Sequence, residues 1–93
     1  MTGDITDNPT LGRFELSIDG RIVFATYRRD GDVVYLPHVE APPSLRGTGA
    51  AGRLMQGIMD HARAQGLRVA PICGYAAAWL RRHREYDDLV VGR

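Results

Sequence analysis

From Arg13 onward polar and apolar positions alternate. Phe14, Leu16 and Ile18 are separated by Glu15 and Ser17, an Asp19-Gly20 pair interrupts, and Ile22, Phe24 and Thr26 resume the period. Alternation on both sides of an Asp-Gly pair predicts a β-hairpin. Arg29-Asp30-Gly31-Asp32 is a second turn, and VVYLPHVEA (Val33 to Ala41), rich in β-branched and aromatic residues, predicts a third, antiparallel strand. Pro37 lies inside it and donates no ladder hydrogen bond, so an edge position or a bulge that bends the strand is expected there. After Pro42-Pro43 the period changes. Ala51, Leu54, Met55, Ile58, Met59 and Ala62 share one face of a helix for which Gly66 is a ready C-cap. LRVAPIC (Leu67 to Cys73) reads as a buried strand, and YAAAWLRRH (Tyr75 to His83) as a shorter helix whose Trp79 packs it on the sheet. The order is βββαβα, and the crossover after the first helix lays the fourth strand beside the third in parallel. An α+β fold is expected: a mixed, mainly antiparallel sheet with two helices packed on it. Residues 1–10 (MTGDITDNPT) carry no period and read as a flexible leader, leaving 11–93 as a single domain.

Composition narrows the function classes. At 93 residues there is room for one compact core, and 44% hydrophobic with 25% charged residues is ordinary globular content that argues against disorder. The formal charge of +1, with both signs mixed along the chain, offers no electrostatic footprint for nucleic acid or a membrane. One cysteine makes no internal disulfide, and no N-terminal apolar run reads as a signal peptide or membrane span. A cytoplasmic protein, monomer or homodimer, is expected. His38, His61, His83 and Cys73 have no recognised zinc spacing, so no metal site is expected.

The densest chemical signal is SLRGTGAAGRLM (Ser44 to Met55), between the third strand and the helix. A strand, a glycine-rich turn and a helix N-terminus form an anion site, because unpaired N–H groups and the positive end of the helix dipole converge there. Gly47, Gly49 and Gly52 match the spacing of the dinucleotide fingerprint. That motif, however, needs a βαβ unit and an acidic residue about twenty positions on, where this chain has the apolar strand around Val69. Gly47 and Gly52 also have P-loop spacing, but Arg53-Leu54 replaces the Lys-Ser/Thr pair. A third template, Arg/Gln-x-x-Gly-x-Gly/Ala, is met by Arg46, Gly49 and Ala51. The structural alternative is a tight turn and nothing more.

The third template resembles the acetyl-coenzyme A signature of the GNAT acyltransferase superfamily. The resemblance extends over about Phe14 to Val90: His38-x-Glu40, LRGTGAAGRLM, PICGY (Pro71 to Tyr75) and RRHREYDDLV (Arg81 to Val90) look like a compact GNAT group of this length. That group commonly has forms close to Cys-Pro-Tyr/Phe and His-Pro-Glu-Tyr, where this chain carries Gly74 and Arg84. The resemblance implies an acetyl-coenzyme A or coenzyme A site built from Arg46, Gly47, Thr48, Gly49, Ala50 and Ala51. It also implies a pantetheine arm passing between the third and fourth strands, beside Val39, Cys73, Gly74 and Tyr75. The implied reaction is acetyl transfer to an amine, carried by a small molecule or a peptide. The acceptor-shaping helices of larger members have no counterpart in a chain that opens on strands. A coenzyme A-binding or interaction module without turnover is therefore the rival reading.

Amine acetylation needs a neutral nucleophile and a proton for the departing thiolate. His38 and Glu40, two residues apart on one strand, share a face and are candidate bases; His38 equally reads as a residue that only closes the strand end. Cys73 ends the fourth strand just before a helix N-terminus, as a relay nucleophile or as a packed neighbour of the cofactor. Tyr75 and Tyr86 are candidate acids or core residues with wet hydroxyls. Arg81-Arg82-His83-Arg84 is the one basic cluster, usually a solvated helix end; Arg82 or His83 is a candidate contact to a cofactor phosphate or adenine.

Overall fold

The computed structural model describes residues 5–92. Five strands form one sheet in chain order: β1 (Ile5–Asn8), β2 (Arg13–Ile18), β3 (Arg21–Asp30), β4 (Val33–Glu40) and β5 (Arg68–Pro71). β1 to β4 pair antiparallel, and β5 joins β4 in parallel. Helix α1 (Ala50–Gln65) makes the crossover between β4 and β5, and α2 (Gly74–Arg82) follows β5. The expected hairpin is β2–β3, closed by Asp19 and Gly20 at φ 51° and 77°. Gly66 caps α1 in the left-handed region, its N–H bonded to Ala62 and Arg63 carbonyls.

One strand was not expected. The segment read as a flexible leader contains β1, which pairs Ile5 with Leu16 and Asp7 with Phe14. Its anchors come from far along the chain: the Tyr27 hydroxyl donates to Asp7, and Asn8 Nδ2 donates to Glu15 at 3.2 Å. Of that leader, Pro9 and Thr10 lie in the turn into β2, and residues 1–4 lie outside the described residues.

The core occupies one side of the sheet. Phe14, Leu16, Val23, Ala25, Val34, Leu36 and Val69 point into it and meet Leu54, Met55, Ile58 and Met59 of α1 and Ala76, Trp79 and Leu80 of α2. The opposite face carries Glu15, Phe24, Thr26, Tyr35 and Arg68, none of them fully buried, so both helices cover the same side. The chain then packs a 3-10 turn, Arg84–Leu89, against α1: Tyr86 donates to Asp60 Oδ1 at 2.8 Å. Val90 bridges Val69, and the Val91 amide donates to the Val69 carbonyl, covering the outer side of β5.

Pro37 bends β4 as expected. Thr26 pairs with His38 and Arg28 with Tyr35, so Tyr27 alone opposes Leu36 and Pro37, a β-bulge with its extra residue in β4. On the other side, the pairing of β4 with β5 ends at Leu36 and Pro71. The amides of Ile72 and Cys73 both turn onto the Leu36 carbonyl, at 3.1 and 2.8 Å, and β4 runs on to Glu40 without a partner there. A notch opens between Pro37–Glu40 and Cys73. Among the described residues no helix is long and apolar enough to cross a membrane, and no cluster of three metal-ligating side chains occurs.

Candidate active site

The glycine-rich loop joins the end of β4 to α1 through a 3-10 turn, Pro43–Leu45, and two left-handed residues, Gly47 (φ 79°) and Gly49 (φ 83°). Gly49 is the N-cap of α1, with no side chain capping it. The first intrahelical bond runs from the Arg53 amide to the Gly49 carbonyl at 3.0 Å. The amides of Ala50, Ala51 and Gly52 precede it, in the turn where a helix has no acceptors of its own. A hollow of about 340 Å³ lies over them, bounded by Arg46, Gly49, Ala51 and Tyr75 among others. A Cβ on Gly47 or Gly49 would meet no protein atom within 4 Å, so those positions are bare because of the left-handed backbone and keep the hollow open. Amides, dipole and bare space together fit a pyrophosphate. Arg46 is exposed, its Nε donating to the Ala41 carbonyl at 3.4 Å, and Thr48 Oγ1 donates to the Leu45 carbonyl.

Gly52 has a different duty. Its Cβ would stand 3.2 Å from Trp79 Nε1 and 3.9 Å from the Tyr75 hydroxyl. Besides joining the core under the sheet, Trp79 therefore packs α2 against the first turn of α1, a contact that the sequence reading did not include. His83 stacks on the indole at 3.7 Å and donates Nδ1–H to the Trp79 carbonyl at 2.8 Å, with Tyr86 on the same indole at 5.9 Å.

The candidate catalytic residues fall into two groups, one on each side of the notch. Cys73 is half-buried against the core, and its carbonyl accepts from the Ala77 amide as the N-cap of α2. Tyr75 and Gly74, in the first turn of α2, are exposed. Burial pushes the Tyr75 phenol above its ordinary value of 10, the nearby Arg82 guanidinium draws it back and Cys73 adds to the rise. Tyr75 lines the glycine hollow, and Arg82 and Cys73 lie within electrostatic reach of its phenol. His38 and Glu40 lie on the open face of the sheet, facing Thr26 and Phe24. His38 Nε2–H donates to Glu40 Oε1 at 2.8 Å, and both side chains are about half exposed. Val39, between them, turns the other way and packs on the core. Beside the pair, Phe24 meets the His38 ring edge-on at 6.3 Å, and the Arg13 guanidinium lies 4.5 Å above Phe24. The row Arg13, Phe24, His38, Glu40 was missed from sequence, since only the register across β2, β3 and β4 brings it together.

Comparison with known proteins gives a consistent result. A sequence model described as GCN5-related N-acetyl-transferase matches residues 13–89. No curated protein matches. Among solved structures, the NMR solution structure of a GCN5-like protein from Staphylococcus aureus superposes with a TM-score of 0.74 at 23% identity. It covers 99% of this chain and 91% of that one, so the two share a fold.

Proposed function

The chain belongs to the GCN5-related N-acetyltransferase family, and on that premise we propose that it binds acetyl-coenzyme A and transfers the acetyl group to a small-molecule or peptide amine. The observation that carries the cofactor assignment is the bare hollow at the N-terminus of α1, opening beside the unpaired end of β4. Arg46 to Ala51 would hold the pyrophosphate through backbone amides, and Arg82 adds positive charge near Tyr75. Val39, Cys73 and Gly74 flank the notch that would take the pantetheine arm.

When bound, the cofactor supplies a thioester acetyl group whose carbon–sulfur bond breaks as the amine nitrogen bonds to the acetyl carbon, leaving a thiolate that needs a proton. His38 donates Nε2–H to Glu40, which leaves Nδ1 free to take the proton of the amine; Glu40 then faces the imidazolium it stabilises. Tyr75, a phenol that is protonated at neutral pH and that burial pushes further above its ordinary value of 10, is the group that would return a proton to sulfur. Cys73, held at the N-cap of α2, lines the cleft and is available as a nucleophile.

One observation favours the rival reading, a binding module without turnover: His38–Glu40 and Cys73–Tyr75 stand on opposite sides of the notch. Calorimetric titration with acetyl-coenzyme A and with NADH tests the premise of both. Saturable binding of acetyl-coenzyme A alone is expected, and binding of neither would return the glycines to a turn.

A further inference from the structure

A second hollow, larger than the glycine-lined one, lies elsewhere on the molecule. About 460 Å³ lies on the open face of the sheet, bounded by Arg28, Arg29 and Asp30 at the end of β3, Tyr35 and Pro37 of β4, and Ile72 just past β5. Tyr35 is 36% exposed and Ile72 63%, so two large apolar side chains line a space that no helix covers. Burying them would be favourable, and folding leaves them in water.

The charges point to what fits there. The Arg28 side chain makes no hydrogen bond or ion pair with any described residue. Arg29 is spent on the Gly31 carbonyl, which accepts from Nε at 3.2 Å and Nη2 at 3.0 Å. Arg29 sits opposite core-facing Val34, whereas Arg28 and Asp30 share the open face, so the guanidinium that the hollow offers is that of Arg28. Arg28 faces Tyr35 across the ladder, and the next pair along the same face is Thr26 with His38. Two residues of strand span roughly 7 Å, so the free cation and the His38–Glu40 pair are near neighbours on one face.

We propose that this hollow is the acceptor subsite, and that it selects an amine carrying a carboxylate on an apolar body. The carboxylate pairs with Arg28, the body lies on Tyr35, Pro37 and Ile72, and the amine reaches His38. Asp30 at the rim disfavours a second carboxylate. The proposal rests on the acetyltransferase reading, and its test is arranged so that the two fail separately.

The probes are 4-(aminomethyl)benzoate and benzylamine, which differ only in the carboxylate. Each is titrated into the isotope-labelled protein and into Arg28→Gln while backbone amide resonances are followed. The wild-type protein is expected to bind the carboxylated amine at least about tenfold more tightly than benzylamine, as a charge-assisted pair to a guanidinium allows. The shifts should centre on Tyr35 and Ile72, and Arg28→Gln should erase the preference while leaving the spectrum otherwise native. Equal affinity for the two amines, no shifts at the hollow with either, or a preference that survives Arg28→Gln would overturn the proposal. A separate titration with acetyl-coenzyme A reads the Gly47 and Gly49 amides. Its failure would sink the cofactor assignment, whereas the amine titrations decide the subsite without requiring turnover.

Discussion

Replacing Gly49 by alanine separates what the loop does for the fold from what it does for a ligand. At φ 83° a β-carbon is strained in the left-handed region by about 1–2 kcal/mol, and since nothing lies within 4 Å of it there is no clash to add. For a domain of this size each kcal/mol lowers Tm by roughly 4–8 °C. Gly20, at φ 77° in the β2–β3 turn and equally open, should show the same thermal loss in Gly20→Ala, far from the hollow. The two variants are therefore matched in strain and differ in place. If the loop cradles the pyrophosphate, the added methyl of Gly49→Ala occupies ligand space, and acetyl-coenzyme A affinity should fall at least tenfold, about 1.4 kcal/mol. Gly20→Ala should bind as the wild type does. Differential scanning calorimetry gives the first quantity and titration calorimetry the second, both at a temperature where each variant is fully folded. Equal affinities of the two variants would show that the bare backbone at Gly49 serves the turn alone.

Three further outcomes are expected. Cys73→Ala and His38→Ala should keep coenzyme A affinity but lower amine-dependent thiol release, by about 100-fold or more for the loss of a general base; unchanged turnover in both would remove their catalytic roles. Tyr86→Phe loses the hydrogen bond to Asp60, worth about 1.5–3 kcal/mol to a charged acceptor, and should also flatten the alkaline limb of stability. Burial, with the Asp60 bond, holds the Tyr86 phenol at about 12, above its value of 10 in the unfolded chain, so its contribution is full below pH 10 and is lost as pH rises towards 12. Tyr27, also near 12 through burial and Asp7, keeps its own share, and urea unfolding at pH 7 and pH 11 would read the difference. Gly52→Leu should displace Trp79, the one tryptophan, costing about 1–3 kcal/mol and shifting its fluorescence to the red; an unmoved emission would contradict the close packing of α2 on α1.

How far the sequence was legible follows from the range of each contact. The β2–β3 hairpin was readable because Phe14, Leu16 and Ile18 alternate beside an Asp-Gly turn, and α1 because its apolar stripe is continuous; the inward face of β3 was not, since Val23 and Ala25 fill the core where Ile22, Phe24 and Thr26 were the expected period. β1 was not, since ITDN offers a single apolar residue and owes its place to partners at Glu15, Leu16 and Tyr27. Gly52 looked like one more loop glycine. Its purpose is set by Trp79, 27 positions later, and nothing local distinguishes close approach from turn formation. In the candidate site, the pairing of His38 with Glu40 on one face was readable from their spacing. Their separation from Cys73 and Tyr75 was not, because it depends on where β4 and β5 part company.

The bulge at Leu36–Pro37 makes counting by twos change sides. Val34 and Leu36 point into the core, so unbroken even-odd alternation would send His38 and Glu40 in after them, burying an imidazole and a carboxylate under the helices. One surplus residue reverses the parity: Val39 goes inward and the ionisable pair comes out to water. A single residue inserted between Pro37 and His38, or the deletion of Pro37, would therefore do more than shift the loop behind it. It would exchange the apolar and ionisable sets of the strand's last three positions, so this strand end should tolerate substitution far more readily than any change of length.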